Sequence, residues 1–148
     1  MYLVFDVGAT TIKYALMTGE GDILEKGKTS TPVGEGKNTK DFVETIGTIY
    51  DKYAVQENIQ GIAMGIPGQV DVKQGIVYNG GGIRYLHKAR LQELIQTRCN
   101  NTLVSLENDG KCAALAEIWK GNAKDVKDAL VLVFGTGIGG GIIRGRKV

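Results

Sequence analysis

The chain is poor in the residues that several common chemistries require. It has two cysteines, Cys99 and Cys112, and one histidine, His87. No C-x-x-C occurs, and these three side chains do not make a zinc set. Reduced thiols in a cytosolic protein are the expectation for such a pair. Neither a secretory leader nor an apolar run of 18 residues is found, so nothing indicates export or a membrane helix, and a cytoplasmic location is expected. The net charge is only +2, too small for a nucleic-acid or anionic-membrane partner. Arg144, Arg146 and Lys147 form the one local excess, which reads as a solvated strand edge. Proline occurs twice, and no repeat, low-complexity tract or Pro/Ser-rich linker divides the 148 residues. A chain of this size makes one domain, hiding roughly 68–70% of the unfolded surface.

Two phosphate-binding signatures are also excluded. G-x-x-x-x-G-K-[ST] is absent, which rules out a P-loop. Gly135, Gly137 and Gly140 formally spell G-x-G-x-x-G, but strand-like Gly141-Ile142-Ile143-Arg144 follows. A dinucleotide fold needs a helix there and an acid about 20 residues on.

What the chain has in excess is glycine, with 22 residues. Two glycine-bearing turns stand out. Asp6-Val7-Gly8-Ala9-Thr10-Thr11 follows the apolar run Tyr2–Phe5, and Gly135-Thr136-Gly137-Ile138-Gly139-Gly140-Gly141 follows Ala129–Phe134. Each turn leads into another apolar run, so each reads as strand, tight turn, strand. Turns with little side chain expose backbone N–H groups, and concave arrays of such donors bind anions. Thr10, Thr11 and Thr136 add hydroxyls suited to phosphate. Asp6, ending its strand, suits Mg²⁺ held directly or through water; a plain Asx-capped turn is the other reading. Lys13 faces either phosphate or solvent.

The periodicity predicts strands at 2–7, 12–17 and 23–29, with a hairpin turn at 18–22. Asn38 caps a helix over 39–54, with Phe42, Ile46, Ile49, Tyr50 and Tyr53 on one face. A buried strand over 59–66 breaks at Pro67-Gly68, and a short hairpin follows around Lys73-Gln74-Gly75. A helix over 88–98 turns Leu91, Leu94 and Ile95 inward. A strand at 102–106 precedes a helix over 109–119 capped by Asn108, and strands at 129–134 and 138–144 close the chain. A meander followed by alternating helices and strands implies an α/β fold, a mixed sheet flanked by helices. This order is similar to the ribonuclease-H-like core of the actin and hexokinase superfamily.

Glu107-Asn108-Asp109 sits where a strand ends and a helix begins, the place at which open α/β sheets bind ligands. Asn108 and Asp109 either cap the helix and complement its dipole or do chemistry, one orienting a hydroxyl and the other taking its proton. Pro67-Gly68 offers a backbone lip to a polar ligand, or simply a turn. Gly80-Gly81-Gly82 is costly in chain entropy, which favours a loop that closes over a ligand.

Four motifs together resemble the ROK family (repressors, open reading frames, kinases): Asp6-x-Gly8-x-Thr10, Gly65-Ile66-Pro67-Gly68-x-Val70-Asp71, Glu107-Asn108-Asp109-x-x-Cys112-Ala113-x-Leu115-x-Glu117, and Gly135 to Gly141. The resemblance implies ATP- and Mg²⁺-dependent phosphorylation of a sugar hydroxyl, the 6-OH of a hexose or β-glucoside. It makes Asp109 the catalytic base and Asn108 a sugar ligand. The loops themselves put Gly68, Gly81 and Gly82 on the substrate side, where Arg84 either holds a second ring's hydroxyls or pairs with a carboxylate such as Glu107. The resemblance assigns Asp6 to the metal, and Gly8, Thr10, Thr11, Lys13, Gly135, Thr136, Gly137 and Gly139 to the nucleotide. The implied partner is a small sugar, compatible with a homodimer. Ala9 departs from the family's second glycine. Gly80-Gly81-Gly82-Ile83-Arg84 replaces an asparagine and tryptophan-bearing loop, which looks like the β-glucoside kinase branch rather than plain glucokinase or N-acetylmannosamine kinase. The family's C-terminal half, with its Glu-x-x-x-Gly-His sugar ligands and cysteine-rich zinc motif, is absent from 1–148, so the chain reads as an N-terminal domain. A sugar-sensing repressor of the family would carry a helix-turn-helix before the first strand, where Met1 stands here; an inactive fragment is the other alternative.

Overall fold

The computed structural model describes residues 1–135 and 137–148. Strands β1 (Tyr2–Val7), β2 (Thr11–Met17) and β3 (Ile23–Ser30) form the predicted antiparallel meander. Along β1, Leu3, Phe5 and Val7 are buried while Asp6 is exposed. The period of two thus turns Asp6 to the face opposite the main core. Helix α1 (Thr39–Ala54) then crosses to β4 (Gly61–Ile66), which runs parallel to β1. Asn38 caps α1 as expected. Its side chain accepts from the Lys40 amide at 2.8 Å, and its own amide donates to Asp41 at 2.9 Å. The five apolar residues predicted to share a face of α1 are all buried.

A short hairpin of β5 (Gln69–Asp71) and β6 (Ile76–Asn79) and a 3-10 turn at Arg84–Leu86 lead to α2 (Leu91–Arg98). Strand β7 (Leu103–Asn108) then pairs in parallel with β4, completing the sheet order β3-β2-β1-β4-β7. Parallel neighbours need long crossovers, and α1 and α2 supply them. The main core lies between these helices and one sheet face, around Leu3, Phe5, Phe42, Ile46, Met64 and Leu106. Arg98 joins the helices by donating to Glu44 at 2.9 Å and to Asp51 at 2.8 Å. It lies across Gly47, where any side chain would overlap the guanidinium.

Two details differ from expectation. Helix α2 begins at Leu91 rather than 88, because Lys88 takes a left-handed φ of 58° and the Ala89 carbonyl accepts from the Val77 amide at 2.9 Å in a β-bridge. In so short a helix the inward stripe is the i, i+4 pair Leu91 and Ile95, so Leu94 is not inward but 42% exposed. The last two strands also leave the mixed sheet. After α3 (Asp109–Trp119), β8 (Ala129–Phe134) and β9 (Ile138–Ile143) form a separate two-stranded sheet packed on α3. Helix α3 therefore lies between the main sheet and this hairpin. Ala114, Ile118 and Ile143 make a small second core there, while Leu130, Phe134, Ile138 and Ile142 are each at least 65% exposed.

Candidate functional site

The chain reverses between β1 and β2 in a tight turn. The Gly8 amide donates to the Thr11 carbonyl at 2.9 Å, and a Cβ on Gly8 would lie 2.9 Å from the same oxygen. Backbone contact there leaves no room for a larger residue. Antiparallel register sets Asp6 opposite Lys13. Lys13 Nζ accordingly lies 3.2 Å from Asp6 Oδ2, with both side chains more than half exposed. Such a pair adds little stability, so either partner can exchange it for a ligand at small cost.

Behind this turn stands Thr31, a buried polar residue passed over in the sequence. Its hydroxyl donates to the Gly8 carbonyl at 2.7 Å, and its amide donates to the Thr10 carbonyl at 3.0 Å. Nothing in the surrounding sequence marks it, since threonine after a polar strand is ordinarily solvated.

At the other side of the sheet, β7 runs directly into α3. Asn108 Oδ1 accepts from the Lys111 amide at 3.1 Å and so caps the helix. Asn108 Nδ2 donates to the Gly68 carbonyl and to Asp109 Oδ1, each at 2.9 Å. Asp109 Oδ1 also accepts from the Gly110 amide at 2.8 Å. One carboxylate oxygen is thus held by two donors, while Oδ2 has no hydrogen-bond partner among the described residues. The helix N-terminus adds positive potential beside this carboxylate. Glu107 accepts from the Asn108 amide at 2.7 Å and lies 3.7 Å from Lys111, not in a pair with Arg84.

Glycine allows the hairpin β8–β9 to approach α3. A side chain on Gly140 would overlap the Val131 carbonyl, and a Cβ on Gly141 would come 2.7 Å from that of Ala114. Around Gly135, Gly137 and Gly139, by contrast, an added Cβ would meet nothing within 4 Å. Those glycines leave open space where side chains would stand, with the Gly135 amide donating to the Gly137 carbonyl at 2.9 Å, while Gly140 and Gly141 fix where the turn stands.

Asp6, Gly68, Asn108, Asp109, Gly135, Gly137 and Gly139 line one cavity of about 880 Å³. Seven of the fifteen residues singled out in the sequence thus come together. Thr136 lies outside the described residues. Gly8, Thr10, Thr11 and Lys13 sit in or beside the first turn but are not part of the cavity lining. Gly81 and Gly82 also stand back from it. A Cβ on Gly81 would be 3.5 Å from Pro67, and one on Gly82 would be 3.2 Å from the Ala9 methyl. The Gly81 amide donates to Asn79 Oδ1 at 2.9 Å. Arg84 is exposed at the start of the 3-10 turn. Gly68 requires its lack of side chain: φ is +89°, and a Cβ would overlap the Asn79 carbonyl.

Cys112, one turn along α3 from Asp109, also lines the cavity. Burial, and then the carboxylates of Glu107, Asp109 and Asp6, push its thiol up to about 11. Both cysteines are free thiols, as expected.

The chain belongs to the ROK family, whose model matches residues 2–148. It is 35% identical to the beta-glucoside kinase of Klebsiella pneumoniae, covering 93% of this chain and 44% of that protein. It is 33% identical to a glucokinase of Halalkalibacterium halodurans, covering 99% and 45%. The fold matches a ROK family glucokinase from Streptomyces griseus, solved in complex with glucose and AMPPNP, with a TM-score of 0.86 at 28% identity, over 99% of this chain and 45% of that one. The chain therefore spans a little under half the length of these curated relatives. The mixed sheet with flanking helices is the fold of these sugar kinases, as the order of elements implies.

The placement of Cys112 has a measurable consequence. The thiolate is the reactive form, so iodoacetamide labelling of Cys112, followed by peptide mass spectrometry, should rise about tenfold per pH unit up to about pH 10. A plateau near the ordinary thiol value of about 8.5 would contradict a thiol buried among carboxylates.

Proposed function

We propose that this chain carries the phosphate-holding turns and the catalytic base of an ATP-dependent sugar kinase, as the N-terminal part of a longer ROK enzyme. The observation that carries the reading is Asp109. One of its carboxylate oxygens is pinned by Asn108 and Gly110, and the residue lines the same cavity as Asp6 and the glycines of the second turn. A carboxylate held this way keeps its orientation while offering its other oxygen to a substrate proton.

In the proposed reaction a sugar hydroxyl, the 6-OH of a hexose or β-glucoside, attacks the γ-phosphorus of ATP. Asp109 Oδ2 accepts the hydroxyl proton as the new O–P bond forms, and the bond to the bridging oxygen breaks to release ADP. Little covalent work falls to the protein; positioning and charge stabilisation dominate. The Gly8 and Gly135 amides are engaged within their own turns, so the turn at Gly8–Thr11 and the turn of Gly135, Thr136, Gly137 and Gly139 would offer hydroxyls and their remaining N–H groups to the phosphates, with Lys13 beside them. Among the described residues no group of three or more His, Cys, Asp or Glu is placed to hold a metal. The single exposed carboxylate of Asp6 suits Mg²⁺, which keeps several waters and takes its other ligands from phosphates; when bound, the ion neutralises phosphate charge.

Both Nδ2 hydrogens of Asn108 are already engaged. Toward a sugar this residue would act through the remaining lone pair of its oxygen, accepting from a hydroxyl. Gly68, Gly81 and Gly82 would form the backbone rim of the sugar side, with exposed Arg84 beyond it. The lack of a bulky aromatic in this loop supports a substrate with a group beyond the glucosyl ring. The 35% identity to a beta-glucoside kinase favours the same reading, and the 33% identity to a glucokinase supports the alternative.

In an enzyme containing this chain, Asp109→Asn should preserve the fold and lower kcat by about 10²–10⁴-fold; near wild-type turnover would sink the assignment of the base. For the sugar, kcat/KM for cellobiose or an aryl β-glucoside is expected to exceed that for glucose, and Arg84→Ala should narrow the difference without changing ATP affinity. A clear preference for glucose or N-acetylmannosamine would replace this reading with the glucokinase-like alternative.

A further inference from the structure

Two separate links join the turn after β1 to the segment 79–86, which abuts Gly68 at the cavity. The first is a close approach: the Ala9 methyl stands 3.2 Å from where a Cβ on Gly82 would lie. The second is a chain of hydrogen bonds. Thr31 holds the Gly8 and Thr10 carbonyls at 2.7 and 3.0 Å. The next residue, Pro32, accepts at its carbonyl from the Tyr85 hydroxyl at 2.7 Å. The Tyr85 carbonyl in turn accepts from the Thr39 hydroxyl at 2.7 Å, at the first turn of α1. Ile83 and Leu86 on either side are fully buried, so the 3-10 turn cannot shift without disturbing the core.

The link is short and stiff. Proline fixes its own φ, so between the Thr31 hydroxyl and the Tyr85 hydroxyl there is little backbone freedom to absorb motion. Burial, with a smaller effect from Asp41, raises the Tyr85 hydroxyl to about 12, so it stays protonated and keeps donating at any working pH. Neither Thr31 nor Tyr85 lines the cavity; whatever they do for the site, they do through other residues.

We propose that Thr31 and Tyr85 are positioning residues that strap the sugar-side turn 79–84 to the phosphate turn 8–11, so that ordering one turn orders the other. The structural part stands on these bonds alone. The consequence for ligands rests on the kinase reading: nucleotide bound at the first turn prepares the sugar side before sugar arrives. Coupling of this kind acts through reduced motion rather than a change of shape and has an observable in amide exchange.

The test is amide hydrogen exchange by NMR on the full 148-residue chain. Tyr85→Phe, Thr31→Val and the double variant are compared, each removing a hydroxyl while nearly preserving shape. The strap predicts effects across the link. Tyr85→Phe should lower protection of the Gly8 amide about five- to thirty-fold, and Thr31→Val should do the same at the Ile83 amide, which donates to Gly80 at 3.0 Å. The double variant should be no worse than the poorer single one, and Thr31→Ser, which retains the hydroxyl, should behave like wild type. Protection in β4 and the middle of α1 should stay unchanged, which a general loss of stability would not allow. Effects confined to the mutated side, or a uniform loss across the sheet, would overturn the strap. If Thr31→Val fails to fold, Tyr85→Phe and Thr31→Ser decide it. Added magnesium AMPPNP should raise protection at Ile83 in wild type but not in Tyr85→Phe. A wild-type chain that binds no AMPPNP would count against the nucleotide reading, while the variant comparison would still decide the strap.

Discussion

The side chain of Asn108 makes the bonds on which the site depends. It caps α3 through the Lys111 amide, holds Asp109 Oδ1, and grips the Gly68 carbonyl across the gap between β7 and the turn after β4. Capping a helix N-terminus is worth about 1 kcal/mol. Here the same residue also fixes the carboxylate that follows it and the backbone that faces it. Because β7 and β4 are parallel and in register through Asn108 and Ile66, these bonds place Asp109 at the carboxyl ends of the strands. Asp6 lies at the corresponding end of β1, and the sheet thus brings two acids from distant parts of the chain to one cavity.

Glycine does the complementary work by allowing close approach. Gly68 and Gly140 stand where a side chain would overlap a carbonyl, and Gly141 where it would crowd Ala114. The hairpin β8–β9 therefore settles against α3, and its turn comes over the cavity that Asp109 lines. At Gly135, Gly137 and Gly139 an added Cβ would meet nothing within 4 Å. One glycine-rich stretch thus fixes a position at one end and leaves the side-chain side of its turn open at the other.

Much of this was legible in the sequence because it rests on local rules. The strand at 2–7, the Asn38 and Asn108 caps, and the apolar stripe of α1 follow from local pattern and side-chain chemistry, and the structure contains each of them. What was not legible depends on partners far along the chain. Leu94 looks inward by helical period, but only Leu91 and Ile95 of α2 are buried and Leu94 is exposed; the Ala89–Val77 bridge sets the late start of the helix. The final strands look like continuations of the sheet, yet their packing partner is α3. Thr31 and Tyr85 carry no motif, and their bonds span 23 and 53 residues of sequence. Asn108 was open to two readings, cap or ligand; the cap is present, and the ligand role is left one acceptor position.

The central proposal is that both glycine turns and Asp109 serve one nucleotide, the first turn from beside the cavity and the second from its lining. Paramagnetic broadening of amide resonances by manganese AMPPNP tests this directly on the isotopically labelled chain. The account predicts that the amides of Gly8–Thr11, those of Gly135, Gly137 and Gly139, and that of Gly110 broaden together over one range of ligand concentration. Broadening confined to one turn, or appearing at residues remote from the cavity, would contradict it.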